Sequence, residues 1–137
     1  MRLFIAAGLV AGLLAAGARA EEKAGKAKAG GGYLHVVIFS LKKDAPTGTV
    51  DELIADCHKM LGKISVVRSV KAGRPSKEVA EKVVKTDYDV GLLVQLDDFK
   101  GVKAYLVDPL HLEFVKKYGK YFDMKQLKVF DFVDEKK

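Results

Sequence analysis

The run Leu34-His-Val-Val-Ile-Phe-Ser-Leu41 is apolar on both of its alternating sides: His35, Val37, Phe39 and Leu41 share one, and Leu34, Val36 and Ile38 the other. Short, β-branched and aromatic, it lies between a glycine run and Asp44-Ala-Pro-Thr-Gly48, and it reads as a strand. Tyr88-Asp-Val-Gly-Leu-Leu-Val-Gln-Leu96 repeats the pattern, with Tyr88, Val90, Leu92, Val94 and Leu96 set against Gly91 and Leu93. A sheet with one face in water alternates apolar with polar residues. Strands like these require cover on both faces of their sheet.

The rest of the chain supplies cover for only one. Thr49-Val-Asp-Glu52 has the pattern of a capping box with Thr49 at the N-cap. Val50, Leu53, Ile54, Cys57, Met60 and Leu61 follow at helical spacing, and Gly62 closes the helix. Ile64 to Ala72 reads as a second strand, ended by Gly73-Arg-Pro75, and residues 76–86 form a charged excursion. After the strand Tyr88–Leu96, Asp98 caps a helix from Phe99 to Val107. Pro109 then marks a break, and Leu110 to Lys117 continues helical. Gln126 to Val133 is the last strand. The order β-α-β-β-α-β predicts an α+β, ferredoxin-like fold, an antiparallel four-stranded sheet with its helices on one face. The face of Leu34, Val36 and Ile38 is left open. Contiguous apolar surface of that size marks an interface, and a homodimer in which a second sheet covers it is the expected state.

The ends of the chain carry a different message. Residues 1–20 have an early cation at Arg2, an apolar run from Leu3 to Ala16 and a small-residue Ala18-Arg-Ala20 ending, the pattern of a cleaved signal peptide. The apolar run is shorter than the roughly 20 residues a spanning helix needs, so export to the periplasm or the extracellular space is expected, with no stable membrane insertion after cleavage. Residues 21–33 read as a flexible Lys/Gly-rich linker, 34–133 as a single domain, and 134–137 as a charged tail. Removal of Arg2 and Arg19 lowers the formal net charge from +6 to +4, a mild excess to which the linker, with three lysines and two glutamates, contributes one charge. Without a clustered basic stripe, no nucleic-acid partner is expected. Cys57 is the sole cysteine, so no internal disulfide is available, and its place on the apolar helix face makes it a small buried hydrophobe.

Tyr105-Leu-Val-Asp-Pro-Leu-His-Leu-Glu-Phe114 sets a phenol and an imidazole either side of the Asp108-Pro109 break. Two readings stand side by side. In one, Tyr105 and His111 frame the helix break, with His111 bonding a backbone group near Pro109. In the other they line a pocket, where neutral His111 takes a proton at neutral pH and Tyr105 donates to a developing oxyanion. His35 would then orient substrate, and the walls would be Val37, Phe39, Leu106, Leu110 and Phe114. Such a site needs no cofactor. His35, Asp108 and His111 are potential metal ligands, but their spacing matches no zinc pattern, and no metal is expected. His58 is expected to face solvent, as is the loose basic group Lys116, Lys117, Lys120 and Lys125.

Taken together, His35-Val-Val-Ile-Phe39, Tyr88-Asp89, the Tyr105-x-x-x-Pro109-x-His111 run followed by Phe114, and a closing apolar strand containing Asp131 resemble the stress-responsive A/B barrel domain family over about Leu34 to Phe132. The resemblance implies two ferredoxin-like subunits packed as a dimeric α+β barrel. One branch, that of a plant polyketide cyclase, carries a tyrosine and a histidine six positions apart in this helix, at the positions of Tyr105 and His111. It also carries a histidine in the first strand, matched by His35, and a histidine before the proline, where this chain has Asp108. The expected function is an exported, homodimeric module that binds a small apolar molecule or protects under stress. The alternative is a cofactor-independent acid-base enzyme, a cyclase-like lyase or isomerase, using Tyr105 and His111.

Overall fold

The computed structural model describes residues 32–135. The expected signal peptide and most of the expected linker lie outside them. Four strands, β1 (Tyr33–Phe39), β2 (Val67–Gly73), β3 (Val90–Leu96) and β4 (Lys128–Val133), form one sheet in the order β2-β3-β1-β4, each neighbouring pair antiparallel. The helices are α1 (Thr49–Lys59), α2 (Phe99–Leu106) and α3 (Pro109–Tyr118), with single 3-10 turns at Leu61–Lys63 and Gly119–Tyr121. This is the ferredoxin-like arrangement. No helix among the described residues is long and apolar enough to cross a membrane.

Pleat alternation sorts the sheet into two faces. His35, Val37 and Phe39 of β1 and Val90, Leu92, Val94 and Leu96 of β3 are buried, and their partners in the core are Leu53 and Cys57 of α1, Val102 and Tyr105 of α2, and Phe114 and Tyr118 of α3. Cys57 is fully buried, and burial pushes its thiol up to about 12. The other face carries Leu34, Val36 and Ile38, with Val36 opposite both Leu93 and Phe130 and Leu34 opposite Phe132. None of these belongs to the core. Phe130 and Phe132 are 54% and 50% exposed.

Several local expectations are corrected. The N-cap of α1 is Gly48, at φ 91°, because the Thr49 hydroxyl donates to the Pro46 carbonyl at 2.7 Å and is not free to cap. The helix ends at Lys59, and β2 begins at Val67: Ile64 is instead a buried residue at the end of a 3-10 turn, its carbonyl accepting from the Val67 N–H. Tyr88 precedes the ladder. It sits over Gly91 beside Ile38, on the open face and not with Val90. Tyr33, placed in the linker by its sequence, is the first residue of β1, opposite Leu96 and Val133. The last strand starts two residues later than Gln126, after a turn held by Asp123.

Candidate functional site

Helix α2 ends at Leu106, and Asp108 starts α3 by accepting the Leu110 N–H at 2.8 Å, with Pro109 in the first turn, where its missing donor costs nothing. The break brings Tyr105 and His111 into contact, with ring centroids 4.5 Å apart and ring planes tilted by 50°. His35 approaches Tyr105 from the sheet, edge to face, at 5.8 Å. The three residues singled out from sequence therefore share one locus, a cavity of about 420 Å³ between α2, α3 and the β1–β4 edge. Val37, Phe39, Leu106 and Phe114 line it, as do Val115, Gly119, Phe122, Met124, Leu127, Val129 and Asp131. Leu110 does not. One position before His111 on the helix, it is turned about 100° away and lines a groove with Met60 and Lys63 on the α1 side.

Hydrogen bonds fix the imidazoles. The Nδ1 of His35 lies 2.6 Å from Oδ1 of Asp131, its cross-strand partner in the β1–β4 register. A carboxylate only accepts, so Nδ1 carries the proton and Nε2 holds the lone pair of the neutral ring. The Nδ1 of His111 donates in the same way to the Leu106 carbonyl at 3.1 Å, which again leaves Nε2 as the basic nitrogen. His111 thus both ties the helix break and faces the cavity. Burial lowers its pKa, with His35 adding to the effect and the Leu106 carbonyl and Asp108 opposing it, so the ring is neutral at neutral pH. Loss of solvation, followed by the Asp131 carboxylate, raises the phenol pKa of Tyr33.

Tyr105 is 1% exposed, and among the described residues no protein group takes a hydrogen bond from its hydroxyl, which is nevertheless not sealed off from solvent-sized space. Burial, with a smaller contribution from Cys57, raises its pKa well above the usual phenol value, so it is a donor throughout the physiological range. Asp108 is committed to its cap, and no group of three His, Cys, Asp or Glu among the described residues is arranged to hold a metal ion. His58 is exposed. Of the loose basic group, Lys117 is engaged: with Tyr118 it donates to Asp56 of α1, each bond 2.7 Å, which straps α3 to α1.

The pairing of Asp131 with His35 was not legible from sequence, although alternation places Asp131 and Val129 on the same side of the last strand. The far wall, from Gly119 to Leu127, carries no residue type that marks it out.

These features define a ferredoxin-like α+β protein with an open sheet face and an apolar cavity that holds two oriented imidazoles and a phenol. The chain belongs to the stress responsive A/B barrel domain family, whose model matches residues 34–134. Solved structures of similar fold include a dimeric ferredoxin-like protein of unknown function from Thermobifida fusca, at 19% identity and TM-score 0.63 over 77% of this chain and 93% of that one. A Dabb family protein from Mesorhizobium loti matches at 22% and 0.61 over 77% and 99%. The hydroxynitrile lyase from Passiflora edulis matches at 15% and 0.64 over 77% and 95%. At these identities the likeness is one of fold. No curated protein matches the chain.

Proposed function

We propose that the chain is a homodimeric module that binds a small, mainly apolar molecule bearing an oxygen acceptor. The observation that carries this reading is the Tyr105 hydroxyl: on an otherwise buried side chain, it opens onto an apolar cavity of about 420 Å³ without a partner among the described residues, and a ligand oxygen would complete it. Homodimerisation is supported by the uncovered apolar face of Leu34, Val36, Ile38, Leu93, Phe130 and Phe132 and by the dimeric state named for the Thermobifida fusca protein. The pattern of residues 1–20 supports action in the periplasm or outside the cell.

A second reading, cofactor-independent acid-base catalysis, is favoured by the two imidazoles. In this scheme Nε2 of His111 takes a proton from a carbon or hydroxyl next to a ligand carbonyl. Tyr105 donates to the oxygen where negative charge develops, and His35, oriented by Asp131, relays or returns the proton. The Passiflora edulis lyase places a lyase on the same fold, which makes this class the first to assay.

The test is native mass spectrometry of protein recovered from its own compartment, followed by NMR titration of the recovered molecule. A small organic adduct that shifts the Tyr105 and His111 resonances supports the site. Protein free of any adduct, with those resonances indifferent to apolar ketones and phenols, would remove it.

A further inference from the structure

Resting on the reading of the cavity as a ligand site, we propose that its ligand has a hydrogen-bonding head and an apolar tail, and that Gly119 sets the length of tail the site accepts. Three walls of the cavity change character in the same direction. On β1 the inward residues run His35, Val37, Phe39, and the β4 residues opposite the first two are Asp131 and Val129. On α3 the cavity stripe runs His111, Val115, and then Gly119 one turn further on. Each wall starts polar and ends apolar. The lengths agree: four strand residues span about 13 Å, and eight helical residues about 12 Å. The head of such a ligand meets Tyr105 and the imidazoles, and its tail lies toward Phe39 and Gly119.

Gly119 is where the stripe lacks a side chain. Its backbone, φ −55° and ψ −33°, is helical and open to any residue, so the main chain does not call for glycine. A Cβ at this position would find only Val115 Cγ1 within 4 Å, at 3.9 Å, so the packing does not call for it either. The absent side chain is cavity volume at the apolar end, and a larger residue would take that volume from the tail.

Calorimetric titration of the full mature chain with 4-hydroxyphenyl alkyl ketones, from the acetyl to the decanoyl member, tests this in wild type, Gly119→Ala and Gly119→Leu. Wild-type affinity is expected to rise about fourfold per methylene until the tail reaches Gly119 and then to level off. Gly119→Leu should bring the plateau to shorter tails and weaken the longest members by about tenfold, the equivalent of one to two lost methylenes, with the acetyl member unchanged and Gly119→Ala intermediate. The helical backbone accepts alanine, and thermal melts establish that the variants fold. An unchanged chain-length profile, a uniform loss across the series, or tighter binding of long tails to Gly119→Leu overturns the role of Gly119 and leaves the cavity as a ligand site. Failure of folded wild type to bind any of the ketones overturns both.

Discussion

His35 and Asp131, 96 residues apart in sequence, meet at 2.6 Å because they stand directly opposite each other on β1 and β4. The bond closes the polar end of the cavity and holds the buried ring in a single tautomer. Asp131→Ala leaves that Nδ1–H without its acceptor. The expected cost is about 1–2 kcal/mol, below the full penalty because the Asp131 side chain is 40% exposed and water can reach the gap. Asp131→Asn, which keeps an acceptor oxygen, should lose less. Urea denaturation of the three proteins measures the difference, and equal stability of Asp131→Ala and wild type would show that the pair holds nothing together.

His111 gives the fold a pH dependence of known sign. Burial keeps its folded pKa below the 6.5 of a free imidazole, so on acidification the unfolded chain takes up the proton first. Its stabilising effect is complete above about pH 6.5 and is lost as pH falls from there toward the folded pKa. Asp56, also depressed, contributes only in the lower carboxylate range. Urea midpoints should therefore fall between pH 7.5 and 5.5 in wild type and fall less in His111→Gln. A histidine titration by NMR with its midpoint above 6.5 for His111 would contradict the burial argument.

Tyr105→Phe separates binding from folding. Deleting a hydroxyl that has no partner among the described residues should change stability by less than about 0.5 kcal/mol, whereas a lost hydrogen bond to a ligand oxygen should weaken binding about tenfold. A large loss of stability with ligand affinity intact would mark the hydroxyl as structural.

Val36→Lys sets a cation in the middle of the open face, opposite Leu93 and Phe130. Burying an unpaired ammonium in a dry interface is prohibitive, so sedimentation velocity should show the dimer replaced by monomer or by unfolded chain. A dimer unaffected by the change would place the interface elsewhere.

Gly48→Ala should destabilise by about 1–2 kcal/mol, since at φ 91° a Cβ meets its own backbone. Gly73→Ala is the control: its φ is not positive and a Cβ there has nothing within 4 Å, so its thermal midpoint should stay within a degree or two of wild type, the equivalent of a few tenths of a kcal/mol.

The element order and the two apolar faces of the sheet followed from sequence alone, because alternation along a strand and the 3.6-residue period of a helix are properties of the local chain. The meeting of Tyr105 and His111 was legible for the same reason: both lie within one helix-break-helix segment, and the Asp108-Pro109 stop is encoded there. Element ends were less secure. Thr49 looked like a cap, and only the path of the Pro46 turn spends its hydroxyl elsewhere. Leu110 looked like a wall of the pocket, yet the direction α3 takes over the sheet turns it toward Met60. What tertiary structure alone decided is the pairing across distance: Asp131 with His35, Asp56 with Tyr118 and Lys117, and the volume left at Gly119. Strand register and helix docking arise from the packing of the whole core, and no local pattern states which residue will stand opposite which.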